Sequence, residues 1–238
     1  MKNRLHCSKQ TLILRADLPG RPVMKDELLP VFRLSDVELL ERKSCYEGFL
    51  RIDRLTLKCR RYEGGWSREF HREILLRLPG VGVLLYDPVQ DVVLLVEQFR
   101  VGCLDDEVNG PWALELVAGM LDSDEAAATV AVREAQEEAG VAIGGLIRIC
   151  EYYNSPGGSN ERLTVYCARF DANMPDGIFG LPEENENIRT VKMSRTHALA
   201  AIDSGRINNA MSIIALQWLQ LNLDRVKATL MNPEPTLS

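Results

Sequence analysis

Between residues 119 and 141 the chain reads "GMLDSDEAAATVAVREAQEEAGV", which sets Glu125, Arg133, Glu134, Glu137 and Glu138 in an otherwise Ala/Val-rich run. On a helix, Glu134 and Glu138 are i,i+4 neighbours, and like charges at that spacing repel by a few tenths of a kcal/mol. Their place near the helix C-terminus also opposes the macrodipole. Arg133 alone does not neutralise three carboxylates. A hard divalent cation does, since Mg²⁺ takes oxygen ligands and commonly binds one or two carboxylates together with substrate phosphate. A solvated acidic face is the competing reading of the same three glutamates.

The spacing separates the two. Gly119, five residues, Glu125, seven residues, Arg133-Glu134, apolar Ala135, one residue, Glu137-Glu138, one residue, Gly140 and apolar Val141 resemble the Nudix box. Only Ala135 departs from it, where a larger aliphatic is usual. The resemblance implies hydrolysis of a nucleoside diphosphate linked to another moiety, with two or three Mg²⁺ (or Mn²⁺) ions. The flanks "LLVEQFRVG", "PWALELVAGM", "SPGGSNER", "GIFGLPEENENIR" and "NAMSIIALQWLQ" are similar to the bacterial ADP-ribose pyrophosphatase branch, from about Val37 to Leu221.

That resemblance implies an α/β fold (α+β in its segregation): an α/β/α sandwich around a mixed sheet, with a small N-terminal antiparallel β unit. It also implies a homodimer that exchanges the β unit, so that sites draw on both chains. Carried over position by position, the metal ligands are the Ala118 carbonyl, Glu134, Glu138 and Glu186. Glu184 is the general base, with Glu161 and Glu137 as competitors; Glu137, with Arg133 beside it, joins the catalytic set. Phe49, Leu50, Arg72 and Glu73 bind substrate across the dimer. Arg100, Met120, Ser155, Gly157 and Glu161 bind it from the catalytic domain. Leu50 stands where some relatives carry an aromatic, which leaves Phe49 to stack on adenine. Arg100 has a case from its own chemistry, because a guanidinium at a strand end suits a diphosphate oxygen; a surface salt bridge is the alternative.

The implied reaction converts ADP-ribose and water to AMP and ribose 5-phosphate. A nucleotide-sugar pyrophosphatase acting on UDP-glucose or ADP-glucose is the nearest alternative. A non-catalytic ADP-ribose-binding regulator is a remote one, because the chain retains all four box glutamates.

The elements that position these residues follow from pattern. Residues 1–32 read as a polar, Pro-interrupted leader. From 33 to 78, "YEGFLRIDRLTLKCRRY" and "SREFHREILLRL" flank the turn "EGG", as in an antiparallel hairpin or meander. Pro79-Gly80 marks the boundary to a catalytic domain over 79–226. There, "VGVLLYD" and "DVVLLVEQFRV" read as paired strands. A helix is expected over about 124–139, with Asp122 or Ser123 as N-cap and Gly140 as its stop. Ala127, Ala128, Ala131, Val132, Ala135 and Ala139 form its expected apolar arc, with Glu134 and Glu138 at the edge. "LIRICEYY", "RLTVYCARFD" and "IRTVKM" read as strands, and "SRTHALAAIDSG" as a short helix. The last helix carries Met211, Ile214, Ala215, Trp218 and Leu221 at helical spacing. Residues 227–238 read as a disordered tail.

Composition sets outer limits. A 46% hydrophobic, 26% charged chain of 238 residues has enough apolar side chain for a sizeable core. Its net charge of −6 speaks against nucleic acid or an anionic membrane as main partner. No apolar run approaches the ~20 residues a spanning helix needs. The six cysteines are scattered without a C-x-x-C pair, which fits free thiols in a cytoplasm and argues against structural zinc.

Overall fold

Along β4 (Gly80–Asp87), Val81, Val83 and Leu85 alternate with Leu84 and Tyr86, and all five are fully buried. Period-two alternation sends the two sets to opposite faces, so this strand needs cover on both sides. The computed structural model, which describes residues 29–232 apart from Ser123 and the side chain of Glu184, supplies it. The first 28 residues of the leader and residues 233–238 lie outside the described residues.

Three strands precede β4. They are β1 (Val37–Glu47), β2 (Arg51–Cys59) and β3 (Phe70–Leu76), an antiparallel meander. After β4 come β5 (Val92–Phe99), β6 (Trp112–Glu115), β7 (Val117–Met120) and helix α1 (Ala127–Ala139). Then follow β8 (Leu146–Tyr153), β9 (Arg162–Arg169), β10 (Ile178–Phe179) and β11 (Ile188–Ser194). Helices α2 (Arg195–Asp203), α3 (Ala210–Leu221) and α4 (Leu223–Met231) close the described chain.

The main sheet runs β10-β11-β5-β4-β9-β8, with β6 added beside β5 and β7 beside β4. It is mixed, because β4 pairs with β9 in parallel and with β5 and β7 antiparallel. On one face Val81, Val83, Leu85, Leu94 and Val96 pack on Val130, Ala131, Ala135 and Ala139 of α1. On the other, Leu84, Tyr86, Val93 and Leu95 pack on α2, α3 and α4 through Ala198, Leu216, Leu219, Val226 and Leu230. The result is an α/β/α sandwich around a mixed sheet.

Two connections fix the periphery. Asp91, at the β4–β5 turn, accepts from Tyr86 Oη at 2.7 Å and from Arg195 Nε and Nη2 at 3.0 and 2.9 Å. Lys227 of α4 lies 3.7 Å from the same carboxylate. The meander is tied to the loop after β8: Leu75 N–H donates to the Gly158 carbonyl at 2.8 Å, and Arg77 N–H to Asn160 Oδ1 at 2.7 Å.

Several expectations need correction. Helix α1 starts at Ala127 with Ala126 as N-cap and no side-chain cap bond, three residues after the expected start. Asp122 is not that cap, and Ser123 lies outside the described residues. The arc is also rotated. Its buried members are Val130, Ala131, Ala135, Glu138 and Ala139, while Ala128 and Val132 are exposed. Glu134 and Glu138 thus lie inside the buried arc, not at its edge. In α3 the buried residues are Ser212, Ala215, Leu216 and Leu219, and Leu221 is 84% exposed. Residues 227–231, expected in the tail, are the end of α4, because Val226 and Leu230 are buried against the core. No helix among the described residues is long and apolar enough to cross a membrane.

Candidate active site

Gly119 sits on β7 directly beneath Glu134. A Cβ there would lie 2.1 Å from Glu134 Oε1 and 2.3 Å from its Cδ, so only glycine leaves room for this carboxylate against the strand. One turn on, Glu138 is 2% exposed and accepts from the Ala118 N–H at 2.9 Å. In an extended strand a residue's N–H and C=O point to the same side. The Ala118 carbonyl is therefore directed at the α1 side as well, away from β4. Gly140 ends α1 at φ 66°, and the Phe179 ring fills the space its side chain would need.

Burial dominates the electrostatics. It raises Glu138 to about 8 from the 4.5 of a free glutamate; the Ala118 N–H and Arg100 oppose the rise, and Glu134 and Glu186 add to it. Burial likewise raises Glu134 to about 7, opposed by Arg133 and reinforced by Glu137 and Glu186. Arg133 Nη2 lies 3.0 Å from Glu134, and its Nη1 2.8 Å from Glu137. No salt bridge reaches Glu138 among the described residues. Burying a carboxylate without a cation is costly, and that is the position of Glu138, one turn after the Arg133-paired Glu134. Among the described residues no three His, Cys, Asp or Glu side chains already converge as a cage. The donor set nevertheless fits a hard divalent ion: two carboxylates one turn apart with at most one arginine between them, a backbone carbonyl turned their way, and the Glu186 carboxylate in electrostatic range.

The acidic loop is fastened to the same helix. Gly180 N–H donates to the Glu137 carbonyl at 3.2 Å. Glu186 closes the loop on itself, its Oε2 accepting from the Leu181 N–H at 3.2 Å and its own N–H donating back to the Leu181 carbonyl at 3.1 Å. Glu184 ends a short 3-10 turn, Pro182–Glu184; its side chain lies outside the described residues.

The expected substrate groups divide in two. Arg100, at the end of β5, donates through Nε to Glu115 Oε2 at 2.7 Å, and its charge is felt at Glu138. Met120 is exposed at the end of β7. Ser155 and Gly157 are exposed in the turn after β8. Glu161 is held by Arg77 Nε at 3.3 Å and Asn154 Nδ2 at 2.8 Å, so it is already engaged on its own loop. In the other group, Phe49 is 90% exposed at the β1–β2 turn and Leu50 is half-buried beside it. Arg72 lies over the Phe70 ring at 4.8 Å, and Glu73 is exposed on β3 opposite Arg54. No described hydrogen bond, ion pair or ring contact joins these four to α1 or the acidic loop. Sequence reasoning missed Glu115, Arg77 and Asn154. Glu115 stands in "PWALELVAGM", and the signal for it is a lone acid in an apolar strand, opposite Val96 on the strand that ends at Arg100.

A family model described as a NUDIX domain matches residues 76–211. Over 206 residues the chain is 41% identical to the ADP-ribose pyrophosphatase of Escherichia coli strain K12, covering 86% of this chain and 98% of that protein. It is 31% identical over 183 residues to the GDP-mannose pyrophosphatase of Pectobacterium atrosepticum, covering 77% of this chain and 93% of that protein. Among solved structures, a crystal structure of an ADP compounds hydrolase matches with a TM-score of 0.60 at 16% identity, covering 82% of this chain and 98% of that one. That last likeness speaks to the fold alone.

Proposed function

The chain belongs to the NUDIX family, and we propose that it hydrolyses the pyrophosphate bond of ADP-ribose with water, giving AMP and ribose 5-phosphate. The observation that carries the reading is Glu138, a carboxylate 2% exposed on the helix that holds Glu134, with no salt-bridge partner among the described residues. It stands in a chain that matches, over 86% of its own length and 98% of the relative's, a protein named for that substrate.

Two or three Mg²⁺ ions, or Mn²⁺ in their place, would be held by the Ala118 carbonyl, Glu134, Glu138 and Glu186. Magnesium held there would supply positive charge to offset that of the pyrophosphate and to acidify a water. The chain's own residues do the rest. The Glu184 carboxylate takes the proton of the water that attacks the adenosine-side phosphorus; the bridging P–O bond breaks, the water oxygen stays on AMP and ribose 5-phosphate leaves. Glu137, paired with Arg133, keeps negative charge at the rim of the site. Arg100 presents its guanidinium to a diphosphate oxygen. Met120, Ser155, Gly157 and Glu161 shape the pocket for the riboses.

The reading includes a homodimer in which Phe49, Leu50, Arg72 and Glu73 reach the partner's site. Its support is the meander's lack of cover. None of the eleven residues of β1 is buried, and Val37, Leu39, Leu40 and Tyr46 are apolar or aromatic and exposed. A strand this bare gains most from a second copy. A cytoplasmic home belongs to the same reading, supported by the five described cysteines, all free; neither nucleic acid nor membrane is part of it.

The identity to a GDP-mannose pyrophosphatase keeps nucleotide sugars as a second reading. The test is kcat/KM with Mg²⁺ for ADP-ribose, UDP-glucose, ADP-glucose and GDP-mannose, with products identified. ADP-ribose is expected to lead, and any nucleotide sugar exceeding it would replace the reading.

A further inference from the structure

The Arg100–Glu115 pair is anchored at its acid end and open at its basic end: Glu115 is 15% exposed and Arg100 43%. Among the described residues, only Nε of the guanidinium is engaged there. Two residues earlier on β5, Gln98 is 5% exposed, and its Nε2 is buried with no hydrogen-bond partner among the described residues. Leu94 and Val96 face α1, so alternation puts the Gln98 side chain on that same face, at the end nearest Arg100. Across β6, Val96 stands opposite Glu115 and Gln98 opposite Ala113. Gln98 and Glu115 are therefore diagonal neighbours on one face, within reach of each other for long side chains. A buried donor without an acceptor is disfavoured and seldom kept without a use.

We propose that Gln98 is a positioning residue that takes over Glu115 when Arg100 leaves it for a diphosphate oxygen. The inference rests on the reading of Arg100 as a diphosphate ligand. In the free chain Glu115 holds the guanidinium through Nε. Once Arg100 turns to the more highly charged pyrophosphate, Glu115 is left part-buried without its donor. The Gln98 amide N–H supplies the replacement, so the guanidinium is recruited without stranding a carboxylate. Gln98 itself touches no substrate. Its waiting state is the buried amide N–H that has no partner among the described residues.

The test uses the full chain with Gln98→Met, which keeps the length and removes the donor. Gln98→Leu repeats it with a different shape. Without substrate both variants should melt no lower than wild type, since the donor they lose has no partner. KM for the substrate should rise about fivefold while kcat stays within about twofold. In a Glu115→Gln background the same Gln98→Met change should add little, because the acceptor it serves is already altered. An unchanged KM would overturn the proposal. An equal rise in KM in both backgrounds would also overturn it, by showing direct contact with the substrate. A large loss of melting temperature in both variants would do the same, by showing that the amide has a structural partner. If wild type prefers another nucleoside diphosphate, the functional reading fails by that result, and the exchange is judged on the preferred substrate by the same KM comparison.

Discussion

Replacing Glu138 with Gln should make the metal-free protein more stable while removing its activity. The carboxylate is 2% exposed and burial raises it to about 8, against 4.5 for a free glutamate. A folded-state value above the unfolded one means that this group's contribution is fully present below about pH 4.5 and is lost as the pH climbs toward 8. The difference between 4.5 and about 8 bounds the loss at about 5 kcal/mol above pH 8. Water entering around the carboxylate reduces the measurable part, to about 1–3 kcal/mol. Gln keeps an oxygen for the Ala118 N–H, so the hydrogen bond at 2.9 Å survives. In a chain of this size the gain corresponds to about 3–10 °C in melting temperature. Thermal unfolding in EDTA at pH 8 and pH 5 measures it, with wild type and variant converging at the lower pH. Adding Mg²⁺ at pH 8 should raise the wild-type melting temperature more than the variant's, and turnover of the variant should fall by several orders of magnitude. A variant that melts at or below wild type in EDTA at pH 8 would refute the account of Glu138 as an uncompensated buried charge. Near-normal turnover at saturating Mg²⁺ would refute its role in the site.

Glu184→Gln should lower kcat steeply with little change in KM, whereas Glu186→Gln should raise the Mg²⁺ concentration for half-activity; if Glu161→Gln or Glu137→Gln abolishes kcat instead, the base is that residue. Gly119→Ala should displace the Glu134 carboxylate, which a Cβ would meet at 2.1 Å, and so raise the Mg²⁺ requirement with a small stability change, read by Mg²⁺ titration of the rate. Arg72→Ala chains mixed with Glu138→Gln chains should regain activity above either parent if sites are shared across a dimer; additive, unrecovered rates would rule sharing out.

The box was legible because its chemistry is written in side-chain types at fixed spacing, and burial does not blur it. Which face of α1 is buried was not, because alanines occupy every side of that helix and carry little directional signal. Glutamates, in turn, read as exposed. Glu134 and Glu138 belong inside because Gly119 opens a slot beneath one and the Ala118 N–H receives the other. The strands β4 and β5 could be read from their apolar runs, whereas β1 could not be delimited, since a strand with no buried residue shows no alternation. Strands β6 and β7 are four residues each and are separated by a single residue, Leu116, too short for periodicity to register. The end of helix α4 was lost in an expected tail because "LDRVKATLM" buries only Val226 and Leu230 fully, with Leu223 partly buried against the core. Glu115 and Gln98 meet on one sheet face only through the β5–β6 register, which no local pattern encodes.

The carboxylate of Asp91 gathers Tyr86 of the central strand, Arg195 of α2 and Lys227 of α4. One side chain at a turn thereby joins the first core strand to the last described helix. Opening of α4 should then be coupled to the sheet, so that its amides exchange with solvent nearly as slowly as those of β4 and do not fray early. Bonds from Arg195, with burial opposing, hold Asp91 below the ordinary aspartate value. This latch therefore keeps its strength above that ordinary value and gives way as acid protonates the carboxylate. As the pH falls below the ordinary aspartate value, the helical layer opposite α1 should be the first to loosen, while α1 and its glutamates, favoured by protonation, stay in place.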